Sequence, residues 1–157
     1  MCLGVDPGSA HVGWALLRRE DVAGLGVRVL ASGSHEQLEV RDVIARLRGV
    51  WRRPGVRVAV ERVDAINARA GFGSTMATGL LLGHGVGQRI AQAAEDDGLV
   101  VVEVTAERWH HEYFNARAVD GAAVAALVQS RVSGWPARSN AHQRDAAALA
   151  LWALEAA

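Results

Sequence analysis

The 157-residue sequence contains no lysine, so its 17 basic residues are all arginines. It has a single cysteine, Cys2, which excludes an internal disulfide and a cysteine-based zinc site. No apolar run approaches the roughly 20 residues that span a bilayer. Asp6 and Pro7 come too early for the basic-then-apolar plan of a signal peptide. We therefore expect a cytoplasmic protein, folded as one domain over residues 1–157.

The chain carries a formal net charge of zero, but its charge is unevenly distributed. Residues 41–69 hold eight arginines against three acids. We call this set the basic island; its members are Arg41, Arg46, Arg48, Arg52, Arg53, Arg57, Arg62 and Arg69. Such a cluster is an electrostatic footprint for phosphates. A solvated helix face is the alternative interpretation.

The N-terminal segment predicts a buried strand that ends in an acid. Leu3 and Val5 alternate with smaller residues, and the strand ends at Asp6, before a Pro-Gly-Ser turn. Gly13 then leads into a second apolar run, 14–17. A carboxylate at a strand end beside a glycine turn can hold a hard cation, although aspartate before Pro-Gly is also an ordinary hairpin residue.

A second acid follows a later strand. Residues 27–31 predict a third strand, which would complete an antiparallel meander. Ser34 and Gln37 match a capping box, which predicts the start of a helix that ends before Pro54. Residues 56–60 predict a fourth strand, which ends at Glu61. If the first and fourth strands are parallel neighbours, Asp6 and Glu61 lie together at the carboxyl edge of the sheet. Otherwise Glu61 merely finishes an edge strand.

The second half of the chain predicts helices around one further strand. A helix over 74–95 contains Gly79, Gly83, Gly85 and Gly87, which indicates that another helix, a subunit or a DNA backbone packs very close to it. Residues 99–104 predict a strand buried on both faces. Thr105 caps a short helix whose His110 and His111 point about 100° apart, so they are interpreted as packing or surface residues rather than as a metal site.

Two more helices are predicted, over 119–132 and from Asn140 to about residue 156. Asn140 is a good N-cap for the last helix, which is apolar almost all round. Its first turns nonetheless place His142 and Asp145 on one face. A buried aspartate is costly unless it is paired or bound to metal, although the helix dipole stabilises an acid near an N-terminus.

Three motifs in this order resemble the RuvC family of Holliday-junction resolvases. They are Gly4-Val5-Asp6-Pro7-Gly8-Ser9 with Gly13, then Val58-Ala59-Val60-Glu61-Arg62-Val63, then His142-Gln143-Arg144-Asp145-Ala146-Ala147-Ala148-Leu149-Ala150. The resemblance covers nearly the whole chain. It implies an α/β ribonuclease H-like fold: a mixed five-stranded sheet, three antiparallel strands then two parallel, flanked by helices.

The resemblance also implies an activity and a site. Asp6, Glu61 and Asp145 would be carboxylate metal ligands, and His142 a further ligand or a residue that orients the attacking water. The implied cofactor is Mg²⁺, with Mn²⁺ as a substitute and two ions in each active site. The implied protein is a homodimeric endodeoxyribonuclease of DNA recombination and repair. It would nick two strands of like polarity in a four-way junction, leaving 5′-phosphate and 3′-hydroxyl ends.

We expect DNA contacts from residues around this site: Arg62, Arg69, Phe72, Ser74, Arg108 and Arg144. Phe72, between two glycines, is suited to stacking on or wedging between bases, or else to packing its loop onto the core. The chain departs from the family in having no lysine near the site. Arg108, His111, Arg117 and Arg144 are the candidates to replace one.

Three other functions are alternative interpretations of these motifs. A non-catalytic junction-binding protein would keep the fold without cutting, and a YqgF-like relative would act on structured RNA. An actin-like kinase or ATPase would need a second nucleotide-binding half, for which 157 residues leave no room. The sequence does not reveal whether the protein has a helicase partner.

Overall fold

The computed structural model describes residues 1–8, 10–20, 26–36, 39–62 and 74–156, with only the backbone described over 74–81. Within these ranges six strands form one sheet and five helices accompany it. In chain order the elements are β1 (Cys2–Pro7), β2 (His11–Arg19), β3 (Val27–Glu36), α1 (Val40–Trp51), β4 (Arg57–Arg62), α2 (Ser74–Asp96), β5 (Val101–Thr105), α3 (Ala106–Phe114), α4 (Gly121–Arg131), β6 (Val132–Ser133) and α5 (Ala141–Glu155). None of the described helices is both long and apolar enough to cross a membrane.

The strands lie in the order β5-β4-β1-β2-β3-β6. β1, β2 and β3 form an antiparallel meander, β4 runs parallel to β1, and β5 runs parallel to β4. The predicted α/β class and mixed sheet are confirmed. The sheet has six strands rather than five, because Val132 and Ser133 pair in parallel with the start of β3. Two residues are too few for a periodic pattern, and the sequence assigned Val132 to the preceding helix.

The predicted start of the first helix is wrong. Ser34 lies in β3, paired with Gly13 of β2, and the strand continues to Glu36 opposite His11. The helix α1 begins at Val40, and its N-cap residue, Glu39, makes no side-chain capping bond. Pairing with the long β2 strand therefore prevails over the local capping signal at Ser34. The predicted caps of two later helices are confirmed: the Thr105 hydroxyl accepts from Arg108 N, and Asn140 accepts from Gln143 N.

Two apolar layers hold helices against opposite faces of the sheet. On one face α1 and α2 pack against β1, β2 and β4, with Leu3, Leu47 and Ile90 fully buried. On the other face α5 lies across β1 and β2, flanked by α3 and α4. Residues 146–154 of α5 are all buried. This helix therefore has little freedom to move relative to the strands that it covers.

Close backbone approach fixes the position of α5. A Cβ atom on Gly4 would collide with the carbonyl oxygen of Ala146, and one on Gly13 would collide with the backbone of His142. The two glycines sit on β1 and β2, so α5 rests directly on the backbone of the sheet. This contact carries the first turns of α5 to the edge where β1 ends.

The helix α2 approaches the same edge from the opposite face. A Cβ atom on Gly83 would lie 2.6 Å from the carbonyl oxygen of Pro7, and one on Gly87 would lie 3.0 Å from Cγ of Pro7. The predicted close approach is present at these two positions, but the predicted neighbour is wrong: Pro7 at the end of β1 contacts Gly83 and Gly87, rather than another helix, and Gly85 faces open space.

The prediction that residues 99–104 are buried on both faces is wrong. β5 is the last strand of the sheet at one side, so only β4 pairs with it within the described ranges. Val104 is buried, but Glu103 is exposed and Val100 is 66% exposed. An apolar run of six residues is common to central and edge strands, and its length alone does not separate them.

Candidate active site

Two acidic residues meet where two parallel strands end. The register pairs Val5 of β1 with Val60 of β4, which places Asp6 and Glu61 next to each other at the carboxyl edge of the sheet. Asp6 is 8% exposed and is the one charged residue that is buried in the described part of the chain. Glu61 is half-buried. The predicted juxtaposition of these two carboxylates is therefore present in the structure.

The N-terminal turns of α5 bring the other two predicted residues to the same place. A complete capping box between Asn140 and Gln143 fixes the start of the helix. Nδ1 of His142 lies 2.6 Å from Oδ2 of Asp6, so the imidazole N–H donates to this carboxylate. Asp145 follows three residues later and is close enough to Asp6, Glu61 and His142 for their charges to act on one another.

Glu61 and Asp145 resist ionisation. Burial, and then the charge of Asp6, raise the pKa of Glu61 to about 8, with a smaller contribution from Asp145. Burial and the charge of Asp6 also raise the pKa of Asp145 to about 6, against the lowering effect of His142 and Arg144. These shifts have the causes expected when several carboxylates share a site with little water. A nearby cation would lower the pKa values of both carboxyl groups.

His142, in contrast, favours its charged form. Its hydrogen bond to Asp6 raises the pKa of the imidazole, while partial burial lowers it and the charges of Asp6 and Asp145 raise it further. The cationic imidazolium is thus stabilised beside the carboxylates. In this arrangement His142 partly neutralises the site.

An unpredicted residue contacts Glu61. The indole Nε1–H of Trp109, on α3, donates to Oε2 of Glu61 at 3.2 Å. The Trp109 side chain is only 1% exposed, and the bond lowers the pKa of Glu61 against the effect of burial. The sequence shows Trp109 only as an apolar residue of a short helix, because its partner lies 48 positions away. His110 packs edge-on against this indole, 4.0 Å between ring centroids, which confirms its interpretation as a packing residue.

A second unpredicted residue lies beside His142. The rings of His11 and His142 are nearly parallel, with 19° between their planes and 6.2 Å between their centroids. His11 begins β2, immediately after the turn that follows Asp6. Its position next to the Pro-Gly turn was visible in the sequence, but its proximity to His142 depends on the packing of α5.

The donor set fits a divalent cation by its chemistry. Three carboxylates and one imidazole suit Mg²⁺ or Mn²⁺. The pKa values of Glu61 and Asp145 are raised first by burial and then by the charge of Asp6, and a bound cation would offset both effects. In the described residues, no three Asp, Glu, His or Cys side chains already converge closely enough to hold an ion. Oδ2 of Asp6 instead accepts the hydrogen bond from His142.

The residues expected to contact DNA have different surroundings. Arg62 is exposed at the end of β4, directly after Glu61. Arg108 pairs with Glu112 and lies 5.2 Å from the ring of Trp152, and Arg144 donates to the Ser139 carbonyl oxygen at 2.7 Å. Arg69 and Phe72 lie outside the described residues, as does the side chain of Ser74.

The candidates to replace a lysine are also partly engaged. Arg117 pairs with Glu107 at 3.2 Å, and its carbonyl oxygen lies 3.2 Å from Nδ1 of His110. His111 is exposed on α3.

Several arginines of the basic island already have partners. Arg48 makes two bonds to Asp97 beyond the end of α2, and Arg41 pairs with Glu39. Arg57 is the first residue of β4, whereas Glu61 lies at the other end of this strand. The Arg57 side chain donates to the carbonyl oxygen of Ala153. Arg62 is the described member of the island that lies next to the acidic group.

Comparison with known proteins supports the fold assignment. No protein-family model matches the sequence, and no curated protein does so either. Among solved structures, the chain is similar to Thermus thermophilus RuvC in complex with a Holliday junction substrate, with a TM-score of 0.71 at 22% identity over 96% of this chain and 90% of that one. A structure of Thermus thermophilus RuvC gives a TM-score of 0.63 at 21% identity, with the same coverage. The fowlpox virus resolvase, in complex with substrate Holliday junction DNA, gives 0.55 at 12% identity over the whole of both chains.

These similarities extend over nearly the full length of each partner. They confirm the structural resemblance that the three sequence motifs predicted. The chain has the ribonuclease H-like fold of the RuvC and poxvirus Holliday-junction resolvases.

Proposed function

We propose that this protein is a metal-dependent endonuclease that resolves four-way DNA junctions by symmetric nicking. The observation that carries the proposal is the group formed by Asp6, Glu61, His142 and Asp145 at the carboxyl edge of two parallel strands. The fold is shared with solved resolvases, two of which are in complex with a Holliday junction. Fold alone does not imply activity, so the acidic group has to support the chemistry.

The chain's own residues would supply the binding site for the cofactor. Asp6, Glu61 and Asp145 would hold Mg²⁺ or Mn²⁺ through carboxylate oxygens, with His142 as a further ligand or as the residue that orients the attacking water. Bound divalent ions supply charge stabilisation at the phosphate and a more acidic water. Asp6 is fixed by its strand, and His142 and Asp145 by a helix that rests on the sheet backbone.

His142 has a second role in this proposal. Its proton lies between Nδ1 and Oδ2 of Asp6, and its loss would free both atoms for a cation. In the absence of a cation, the same proton reduces repulsion among the carboxylates. The hydrogen bond therefore keeps the site intact until metal and DNA arrive.

A four-way junction has approximate two-fold symmetry, so symmetric nicking needs two active sites related by a two-fold axis. We accordingly propose a homodimer with one acidic group in each protomer. Sedimentation equilibrium of the free protein tests this part independently of cleavage. A monomer at all concentrations would contradict symmetric resolution by a stable dimer.

A non-catalytic junction-binding protein is the second candidate. It is favoured by one observation, the hydrogen bond from His142 to Asp6, which already occupies an oxygen of a proposed ligand. A cleavage assay separates the two candidates. It uses labelled four-way, three-way and linear duplex DNA, incubated with and without Mg²⁺ or Mn²⁺. We expect metal-dependent cutting of the four-way junction; binding without cutting would favour the second candidate. Structured RNA as a competitor tests for a YqgF-like substrate.

A further inference from the structure

We propose that Trp109 is a positioning residue for the metal centre, which holds the Glu61 carboxylate in the orientation that a cation requires. This inference rests on the proposed function. The indole N–H donates to Oε2 of Glu61 at 3.2 Å, and no sequence motif had assigned a role to Trp109. Groups that hydrogen-bond to metal ligands orient them and commonly affect metal affinity.

The bond constrains a side chain that would otherwise be free to rotate. Glu61 has one more methylene group than Asp6, so the end of β4 fixes the direction of its side chain but not the plane of its carboxylate. A donor on Oε2 selects one plane and leaves Oε1 for another partner. An indole N–H suits this task because it is a donor only and does not change its protonation state.

Trp109 itself is held in place independently of Glu61. Its ring is 1% exposed in the apolar layer beneath α5. The α3 helix that carries it is fastened to α5 at two further points: Nε1 of Trp152 donates to Oε2 of Glu112 at 2.6 Å, and the hydroxyl of Tyr113 donates to Oε2 of Glu155 at 2.9 Å. The donor therefore reaches Glu61 from a rigid support, which is what an orienting group needs.

The test compares the wild type with four variants by Mn²⁺ titration calorimetry of the free protein. Trp109→Phe keeps an aromatic ring but removes the N–H, and we expect Mn²⁺ affinity to fall by about 10-fold or more. Trp51→Phe is the matched control, because it removes a buried indole N–H that donates to a carboxylate, Asp97, on the opposite face of the sheet, while Glu61 keeps its donor. We expect that control to bind Mn²⁺ as the wild type does. In the Glu61→Gln background, Trp109→Phe should cause no further loss.

Each outcome has a distinct meaning. If the wild type binds no Mn²⁺ and leaves junctions uncut, the proposed function fails and this inference fails with it. If the wild type binds Mn²⁺ and Trp109→Phe binds it equally well, the inference alone is overturned. A further loss in the Glu61→Gln background would also overturn it, because Trp109 would then act through another group.

A second variant covers the possibility that Trp109→Phe does not fold. Site-specific replacement of Trp109 by benzothienylalanine keeps the two fused rings and exchanges only the N–H for sulfur. The same loss of Mn²⁺ affinity is expected, together with a higher half-saturating metal concentration for cleavage and a smaller change in the rate at saturating metal. Unchanged values in this variant would contradict the positioning role.

Discussion

The imidazole of His142 donates to the carboxylate of Asp6 across a separation of 136 positions in the sequence, with 2.6 Å between Nδ1 and Oδ2. The bond is possible because Gly13 lets the backbone of His142 lie directly on β2. It joins the first strand to the last helix at the edge of the sheet where Glu61 also lies. The properties of the acidic group follow from this contact and from its burial.

Metal binding should depend on pH. A cation would displace the raised-pKa proton of His142 and those of Glu61 and Asp145, whose pKa values are about 8 and about 6. Apparent Mn²⁺ affinity should therefore rise between pH 6 and pH 8, by about tenfold per pH unit for each proton displaced. Calorimetry in buffers of different ionisation enthalpy measures both the affinity and the proton release. An affinity that stays constant over this range would contradict the assigned group.

Removing the charge of Glu61 should stabilise the protein in the absence of metal. Its pKa rises on folding from 4.5 to about 8, so the protonated form is favoured in the folded state and the resulting stability is lost as pH rises through this window. We expect the melting temperature of the wild type in EDTA to fall between pH 5 and pH 8. The melting temperature of Glu61→Gln should fall less over the same range, because the glutamine has no proton to lose. Parallel melting profiles for the two proteins would contradict the burial of this charge.

The approach of α5 to the sheet gives a prediction on stability. Gly13→Ala places a methyl group against the backbone of His142, and overpacking of this kind costs about 1–3 kcal/mol of the free energy of unfolding. Gly49→Ala is the control, since Gly49 is exposed in α1 with nothing near its Cβ position. That change should stabilise the protein by about 0.5–1 kcal/mol. Urea denaturation measures both. Equal effects would show that α5 can shift to accept the methyl group.

Arg62 and Arg57 lie at opposite ends of β4 and provide a matched pair for DNA binding. Arg62 is exposed beside Glu61, so Arg62→Ala should weaken junction binding and reduce the slope of log K against log salt by about 1. Arg57 is engaged with the Ala153 carbonyl oxygen, and Arg57→Ala should leave that slope unchanged. Fluorescence anisotropy of a labelled junction at several salt concentrations measures both. If Arg62→Ala has the same salt dependence as the wild type, Arg62 does not contact the DNA backbone.

Much of the fold was predictable because its signals are local or ordered along the chain. The acids at the ends of two strands and the polar first turns of an apolar helix were visible as patterns, and their order pointed to the ribonuclease H-like fold. The start of α1 was not predictable in this way. Ser34 and Gln37 match the capping-box pattern in the sequence. In the structure Ser34 lies within β3, a strand of ten residues, and pairs with Gly13 of β2.

The details of the site depend on contacts between distant elements. Trp109 acquires its acceptor only when α3 packs beside the end of β4, and His11 meets His142 only when α5 rests on β2. The basic island likewise looks continuous in sequence, yet Arg48 and Arg57 are bonded to Asp97 and Ala153. Charge counted along a sequence therefore overestimates the surface available to phosphates.

The most direct test of the proposed metal-dependent nuclease is cleavage of a four-way junction labelled on each strand in turn. With Mg²⁺ or Mn²⁺ at pH 8, the wild type should produce paired nicks on two strands of like polarity. Asp6→Asn and Asp145→Asn should bind the junction and reduce nicking to background, because each removes a proposed metal ligand. A wild type that leaves the junction intact with both metals, or either variant cutting at the wild-type rate, would contradict the assignment of this acidic group.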